Sequence, residues 1–189
     1  MSINLEKGGR INLSKEAPGM KNAGIGLGWD TNDTDTGGAF DLDASVFMLG
    51  TNTKIPSEKY FVFYNNKESP DGSVKHLGDS RTGEGVGDDE TVTVDLTKVD
   101  PAVEEIVFVV TIHEAESRRQ NFGSVRNAFI RIYDTTTNTE VTKYDLDEDF
   151  SRETAVEFGR LYKKDGEWRF QAVGQGYNSG LQSFVDKYA

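Results

Sequence analysis

Carboxylates crowd into two glycine-studded stretches of this chain. WDTNDTDTGGAFDLD, from Trp29 to Asp43, carries Asp30, Asp33, Asp35, Asp41 and Asp43 with no lysine or arginine among them. The stretch from Asn65 to Glu90 carries Glu68, Asp71, Asp79, Glu84, Asp88, Asp89 and Glu90 against Lys67, Lys75 and Arg81. Charges of one sign held this closely repel unless something neutralises them. A hard, oxygen-seeking cation does so, and Ca²⁺ is the natural choice: carboxylates supply ligand oxygens, while glycines let the backbone turn and offer its carbonyls. The site is not an EF-hand. Counted from Asp79, the third position is Arg81, the fifth Gly83 and the sixth Glu84, where that loop needs glycine.

Within the second stretch, Asp71-Gly72 marks a turn, and Asp71 and Asp79 are candidate ligands. Asp88, Asp89 and Glu90 immediately precede the apolar alternation of TVTVDL. Neighbouring residues on a strand point to opposite faces, so these acids cannot all meet one ion, and at least one is expected in solvent or behind the ligands. Asn65, beside Asn66, offers a neutral oxygen. In the first stretch, Asp41 and Asp43 are two apart and share a strand face, and Asp30 is placed to meet them across a turn. Asp33 and Asp35 fit a solvated role as well.

Other chemistry is thinly represented. His76 and His113 form no HExxH pair, and no G-x-S-x-G elbow or G-x-x-x-x-G-K-[ST] loop occurs. GIGLGWD lacks the spacing of a dinucleotide-binding turn. Arg118, Arg119, Arg126 and Arg131 form the main basic concentration, read as salt-bridge partners of an acidic face. Hydrolysis by carboxylates and metal is the enzymatic alternative, and an acidic structural scaffold is the other.

The elements that position these groups are mostly strands. Period-two patterns occur at Ile3 and Leu5, then at Ile11 and Leu13 beyond a Gly8-Gly9 turn. Ile25, Leu27 and Trp29 alternate with glycines, which suggests another backbone passing closely. FDLDASVFML reads as a strand whose acidic start lies at a sheet rim. YFVFY, TVTVDL, EIVFVVTI, AFIRIY, EVTKYDL and WRFQAV follow, the last of them in antiparallel hairpins. The residues from Asn65 to Glu90 read as one long loop. Helix is expected at Glu114 to Gln120, at Thr154 to Lys163 with Ser151 as cap, and at Leu181 to Tyr188 with Ser179 as cap. The fold class is all-β, a two-sheet β-sandwich with few short helices, against a mixed α/β layer fold as runner-up.

The chain of 189 residues, 35% apolar, is read as one domain over residues 1–189. Its formal charge of −11 argues against nucleic acid and anionic membranes as partners. It has no cysteine, hence no disulfide and no thiolate chemistry. No signal-peptide core and no apolar run of spanning length is present, so a cytoplasmic protein without membrane insertion is expected.

The segments INLEKGGRINLSK, GIGLGWD, FDLDASVFML, FVFYNN, SPDGSVKHLGDSRTGEGVGDDE, IVFVVTIHEA, NAFIRIYD and GEWRFQAVGQGYNSGL together resemble the bacterial tellurite-resistance and stress-response family of the TerD type. The resemblance runs almost end to end. It implies a β-sandwich that binds Ca²⁺ through aspartates, with more than one ion expected, and a non-enzymatic role in tellurite resistance. It also implies protein partners in that system, a membrane protein among them. Carried over motif by motif, the acidic positions are Asp30, Asp41, Asp43, Asp71, Asp79, Asp88, Asp89 and Glu90. Val86 stands where relatives often have another aspartate.

Overall fold

The alternating apolar residues build two six-stranded sheets that close on one another. A computed structural model describes residues 2–31, 42–79, 90–112, 122, 125–146, 153–178 and 180–189, and the backbone alone at 30, 31, 78, 79, 125 and 126. The strands are β1 (Ile3–Leu5), β2 (Arg10–Asn12), β3 (Asn22–Thr31), β4 (Leu42–Leu49), β5 (Phe61–Val62), β6 (Val74–Asp79), β7 (Glu90–Asp95), β8 (Glu105–Ile112), β9 (Val125–Asp134), β10 (Thr139–Asp145), β11 (Ala155–Lys164) and β12 (Glu167–Tyr177). One sheet has the order β1-β10-β9-β3-β7-β6 and the other β2-β12-β11-β8-β4-β5. Between them lies a core of Ile25, Leu27, Val92, Val94, Ile130 and Ile132 from the first sheet, against Val46, Met48, Ile106, Phe108, Phe158 and Phe170 from the second. Burying each such side chain contributes roughly 1.5–3 kcal/mol before chain entropy is counted. The expected β-sandwich is the observed fold.

Several local expectations are corrected. The segment read as helix from Thr154 to Lys163 is strand β11. A bulge between Glu157 and Gly159 adds a residue, so the core-facing Val156, Phe158 and Leu161 are spaced two and then three apart, which imitates a helical repeat. Glycine is required in that bulge: a Cβ at Gly159 would sit 2.5 Å from the Phe170 ring and 2.9 Å from the Gln171 carbonyl. YFVFY shortens to β5, because Glu58–Tyr60 forms a turn of 3₁₀ helix. The stretch from Asn65 to Glu90 is not one loop: it contains β6, which pairs antiparallel with β7.

The strands flanking Gly8-Gly9 form no hairpin. β1 pairs parallel with β10 in one sheet, and β2 pairs antiparallel with β12 in the other. The chain crosses between sheets at Gly8 and Gly9, whose backbone exchanges hydrogen bonds with Ala172 at 2.6 and 2.9 Å. Leu13 then opens a short helix, α1 (Leu13–Glu16), capped by the Asn12 side chain accepting from the Lys15 amide.

The glycine row of β3 does meet a close neighbour, but it is aromatic rather than backbone. The rings of Tyr133 and Phe129 lie over Gly24 and Gly28, where a Cβ would come within 2.2 and 2.3 Å of ring carbons. The hairpin β9–β10 is antiparallel as expected, and β11, the segment read as helix, forms a second antiparallel hairpin with β12. The second turns through Asp165 and Gly166, both at positive φ, as a tight two-residue hairpin requires. A C-terminal helix, α2 (Leu181–Tyr188), forms where its apolar spacing places it. Its N-cap is Gly180, and Ser179 lies outside the described residues, as do Glu114 to Gln120 and Ser151.

Candidate metal-binding end of the sandwich

The candidate ligands gather where strands begin and end on one side of the molecule. β7 starts at Glu90, which pairs with Asp79 at the end of β6 and with Leu27 of β3. β3 continues past that pair to Asp30 and Thr31, which face Arg126 and Val125 at the start of β9. In the other sheet, β4 starts at Leu42 and Asp43, paired with Ile112 and Thr111 at the end of β8.

Glu90 ties the two sheets together at this end. Its parity along β7 is that of Val92 and Val94, so its side chain points inward, and it is 1% exposed. Oε2 accepts the backbone N–H of Ala44, on β4 of the opposite sheet, at 2.5 Å. The same oxygen lies 3.7 Å from Nε2 of His76, on β6. The Glu90 carboxylate pushes the His76 imidazole above its ordinary pKa, against the opposing pull of burial. His76 is a buried strand residue in contact with this carboxylate.

Not every candidate is brought here. Asp71 lies beyond the opposite end of β6. Five strand steps separate Val74 from Asp79, roughly 16 Å at the usual rise. There its Oδ1 accepts from the hydroxyls of Ser69 and Ser73, each at 2.6 Å, and from the Ser73 amide at 2.9 Å. Its Oδ2 accepts from the Asp100 amide at 2.8 Å. Burial raises the Asp71 carboxyl, yet these hydrogen bonds outweigh it and hold the pKa below the ordinary value. Asp71 organises a corner of the fold. Asn65 sits exposed in the turn after β5, closed by reciprocal backbone bonds of 3.0 Å between Phe63 and Asn66. β5 runs antiparallel to β4, toward the Asp43 end.

Asp41, Asp88 and Asp89 lie outside the described residues, as do Asp33, Asp35, His113, Arg118 and Arg119. For Asp30 and Asp79 the strand position is defined and the side chain is not described. Among the described residues no group of three or more histidine, cysteine or acidic side chains is placed to hold a metal. The described frame therefore consists of strand ends carrying Asp30, Asp43 and Asp79, with Glu90 bracing them. Its donors are carboxylate oxygens, which fit a hard divalent cation and not a thiolate-seeking one. The inward role of Glu90 was legible in the sequence from its shared parity with Val92 and Val94. That it would accept a hydrogen bond from the other sheet was not.

Among the described residues no helix is long and apolar enough to cross a membrane. Arg131, one of the basic residues noted above, lies 3.9 Å from Glu140 and over the ring of Tyr133.

A TerD domain model matches residues 1–188. The chain is 56% identical over 188 residues to the tellurium resistance protein TerD of Serratia marcescens, covering all of this chain and 97% of that protein. It is 51% identical over the same length to general stress protein 16U of Bacillus subtilis, again covering all of this chain and 97% of the relative. Among solved structures, a protein of unknown function, SAV2460, superposes with a TM-score of 0.72 at 26% identity, over 88% of this chain and 95% of that one. A homologue of telluride resistance protein from Streptomyces coelicolor superposes with a TM-score of 0.71 at 23% identity, over 88% and 96%, which speaks for the fold. With a model matched from its first residue to its last but one and relatives above half identity along the whole length, the chain belongs to the TerD domain family.

Proposed function

We propose that this protein is a calcium-binding, non-enzymatic stress-response module that contributes to tellurium resistance, and that Ca²⁺ orders the acidic end of the sandwich into a surface recognised by other proteins of the same system. The observation that carries the reading is the convergence of the ends of β3 and β6 with the starts of β4 and β7, bearing Asp30, Asp79, Asp43 and Glu90, on one side of the fold. Relatives named for tellurium resistance and general stress, rather than for a reaction, support the cellular role and the absence of catalysis.

Asp30, Asp43 and Asp79 would hold the ion, joined by Asp41, Asp88 and Asp89 from the adjoining sequence, and more than one ion fits that supply of oxygens. Bound Ca²⁺ supplies positive charge that offsets the mutual repulsion of these groups. Glu90 ties β4 to β7 through Ala44, so the strands that carry the carboxylates of the two sheets are held together across the sandwich. The partner is expected to be a protein of the resistance system, membrane-associated in one case. The protein is read as cytoplasmic.

Calorimetric titration of chelator-treated protein tests this. Micromolar or tighter Ca²⁺ binding is expected, with a much weaker Mg²⁺ response. Asp43→Asn and Asp79→Asn should each weaken it by about tenfold or more, which is ~1.4 kcal/mol. Asp71→Asn, at the far end of β6, should leave the affinity within about twofold, since a distant site couples little. Absence of heat with Ca²⁺ would return the acidic clusters to solvated surface. An unchanged affinity in Asp79→Asn would remove that residue from the site.

A further inference from the structure

The outer face of the β4–β8–β11 sheet carries a second apolar cluster, separate from the sandwich core. Phe47, Leu49, Phe61, Val107, Val109 and Ala155 form its floor, and Phe184 and Tyr188 of α2 form its cover. The helix docks by aromatic contact. The ring of Phe184 meets Tyr177 edge-on at 5.0 Å, and Tyr188 meets Phe47 at 5.1 Å. Its last turn is fastened to the chain after β4, the Ile55 amide donating to the Tyr188 carbonyl at 2.8 Å and Lys54 Nζ to the Lys187 carbonyl at 2.9 Å. Its start is weakly held. Gly180 supplies no side-chain cap and the first turn has no acidic residue. A helix of eight residues does not stand alone in water, so docking and helix formation are one event.

Next to this floor lies an isolated carboxylate. Glu157 of β11 is 8% exposed, and its hydrogen bond from the Tyr177 hydroxyl is long, at 3.5 Å. Arg160, on the same strand, is engaged elsewhere: its guanidinium donates to Glu105 at 2.6 Å and to Gln171 at 2.8 Å. Among the described residues the other cation acting on it is Lys187 of α2 itself, which lies over the rings of Tyr177 and Tyr188. β8 contributes Glu105, which opposes a second negative charge, and β4 contributes the uncharged Ser45 and Phe47.

We propose that α2 is a releasable cover over the Phe47–Phe61–Val107–Val109 floor, and that the protonation of Glu157 sets whether it is closed. Burial raises the Glu157 carboxyl above its ordinary value, Lys187 and Arg160 drawing it down and Glu105 raising it further. With α2 lifted, water reaches the carboxylate and the ordinary value returns. The covered form therefore binds the proton more tightly. Its stability is fully present below the ordinary carboxyl pKa and is lost as pH rises through the raised one. Release uncovers a strip of aromatic and branched side chains that an unoccupied sheet face does not leave in water.

Hydrogen–deuterium exchange of the α2 amides, corrected for the intrinsic pH dependence of exchange, reads the equilibrium directly in the full chain from about pH 4, near the ordinary carboxyl value, upward. Protection of α2 should fall by up to about tenfold per pH unit between the ordinary carboxyl pKa and the raised closed-form value, levelling off above it, while β9 keeps its protection. Glu157→Gln should hold α2 closed with no pH slope. Lys187→Met removes the helix's own stabiliser of the ionised form and so raises the closed-form carboxyl further, and the fall in protection should continue to higher pH with its midpoint moved up. This variant serves if the glutamine substitution disturbs folding. A flat profile in the natural chain, the same slope in Glu157→Gln, an unmoved midpoint in Lys187→Met, or a parallel loss in β9 would each overturn the cover.

Discussion

Glu90→Ala should lower the unfolding free energy by about 3–5 kcal/mol and the melting temperature by on the order of 10 °C, measured in chelator so that no cation contributes. The change removes a fully buried acceptor, leaving the Ala44 amide without its bond from the opposite sheet and His76 without its carboxylate. A buried donor left without an acceptor costs about 1–3 kcal/mol, and a vacated space beside Val92 adds to that. Glu90→Gln keeps an acceptor of the same shape for Ala44 and should lose about half as much. The denaturant slope should not change, because the surface exposed on unfolding is the same. Equal midpoints for the natural chain and Glu90→Ala would show that the two sheets are held without this bracket.

The second large effect is at the other end of β6. Asp71→Ala removes the acceptor of bonds from Ser69, Ser73 and Asp100, and should cost roughly 2–4 kcal/mol, reduced from a simple sum because this corner is only partly buried. Asp100 also accepts from the Tyr60 hydroxyl at 2.9 Å, so the loss spreads to the 3₁₀ turn before β5. The acid side of the stability profile gives a distinct signature. Because the Asp71 pKa is lowered in the folded state, its contribution is present above the unfolded value of about 3.9 and is lost as pH falls through the lower folded value. Stability curves of the natural chain and Asp71→Ala should therefore converge as the pH is lowered to and below that folded value. A constant gap down to that pH would mean that the carboxylate's charge plays no part.

What the sequence made legible follows from how local each signal is. Strict alternation in TVTVDL identified β7, and the unbroken apolar run of EIVFVVTI identified β8 as a strand buried on both faces. It failed at β11, where the Gly159 bulge changes the phase, and at Val74–Asp79, where the register shift between His76 and Asp79 leaves Leu77 exposed beside buried His76. The acidic clusters were found by composition. Composition could not separate Asp71, spent on serines and amides, from Asp79, a strand-pair neighbour of Glu90, because that difference is made by long-range pairing. The Ala44–Glu90 bond spans 46 positions in sequence and has no local trace.

The passage of the first dozen residues from one sheet to the other bears on how the protein emerges from a ribosome. β1 waits for β10, and β2 for β12, so strands made early pair with strands made far later. Until Gln171 and its neighbours have left the exit tunnel, β12 is not available to β2, and edges of both sheets remain open. Such distant closures fold slowly and expose strand edges meanwhile. This segment thus works as a final seal, and an extension fused ahead of Ile3 would be held at the β1 margin of one sheet at the last stage of assembly.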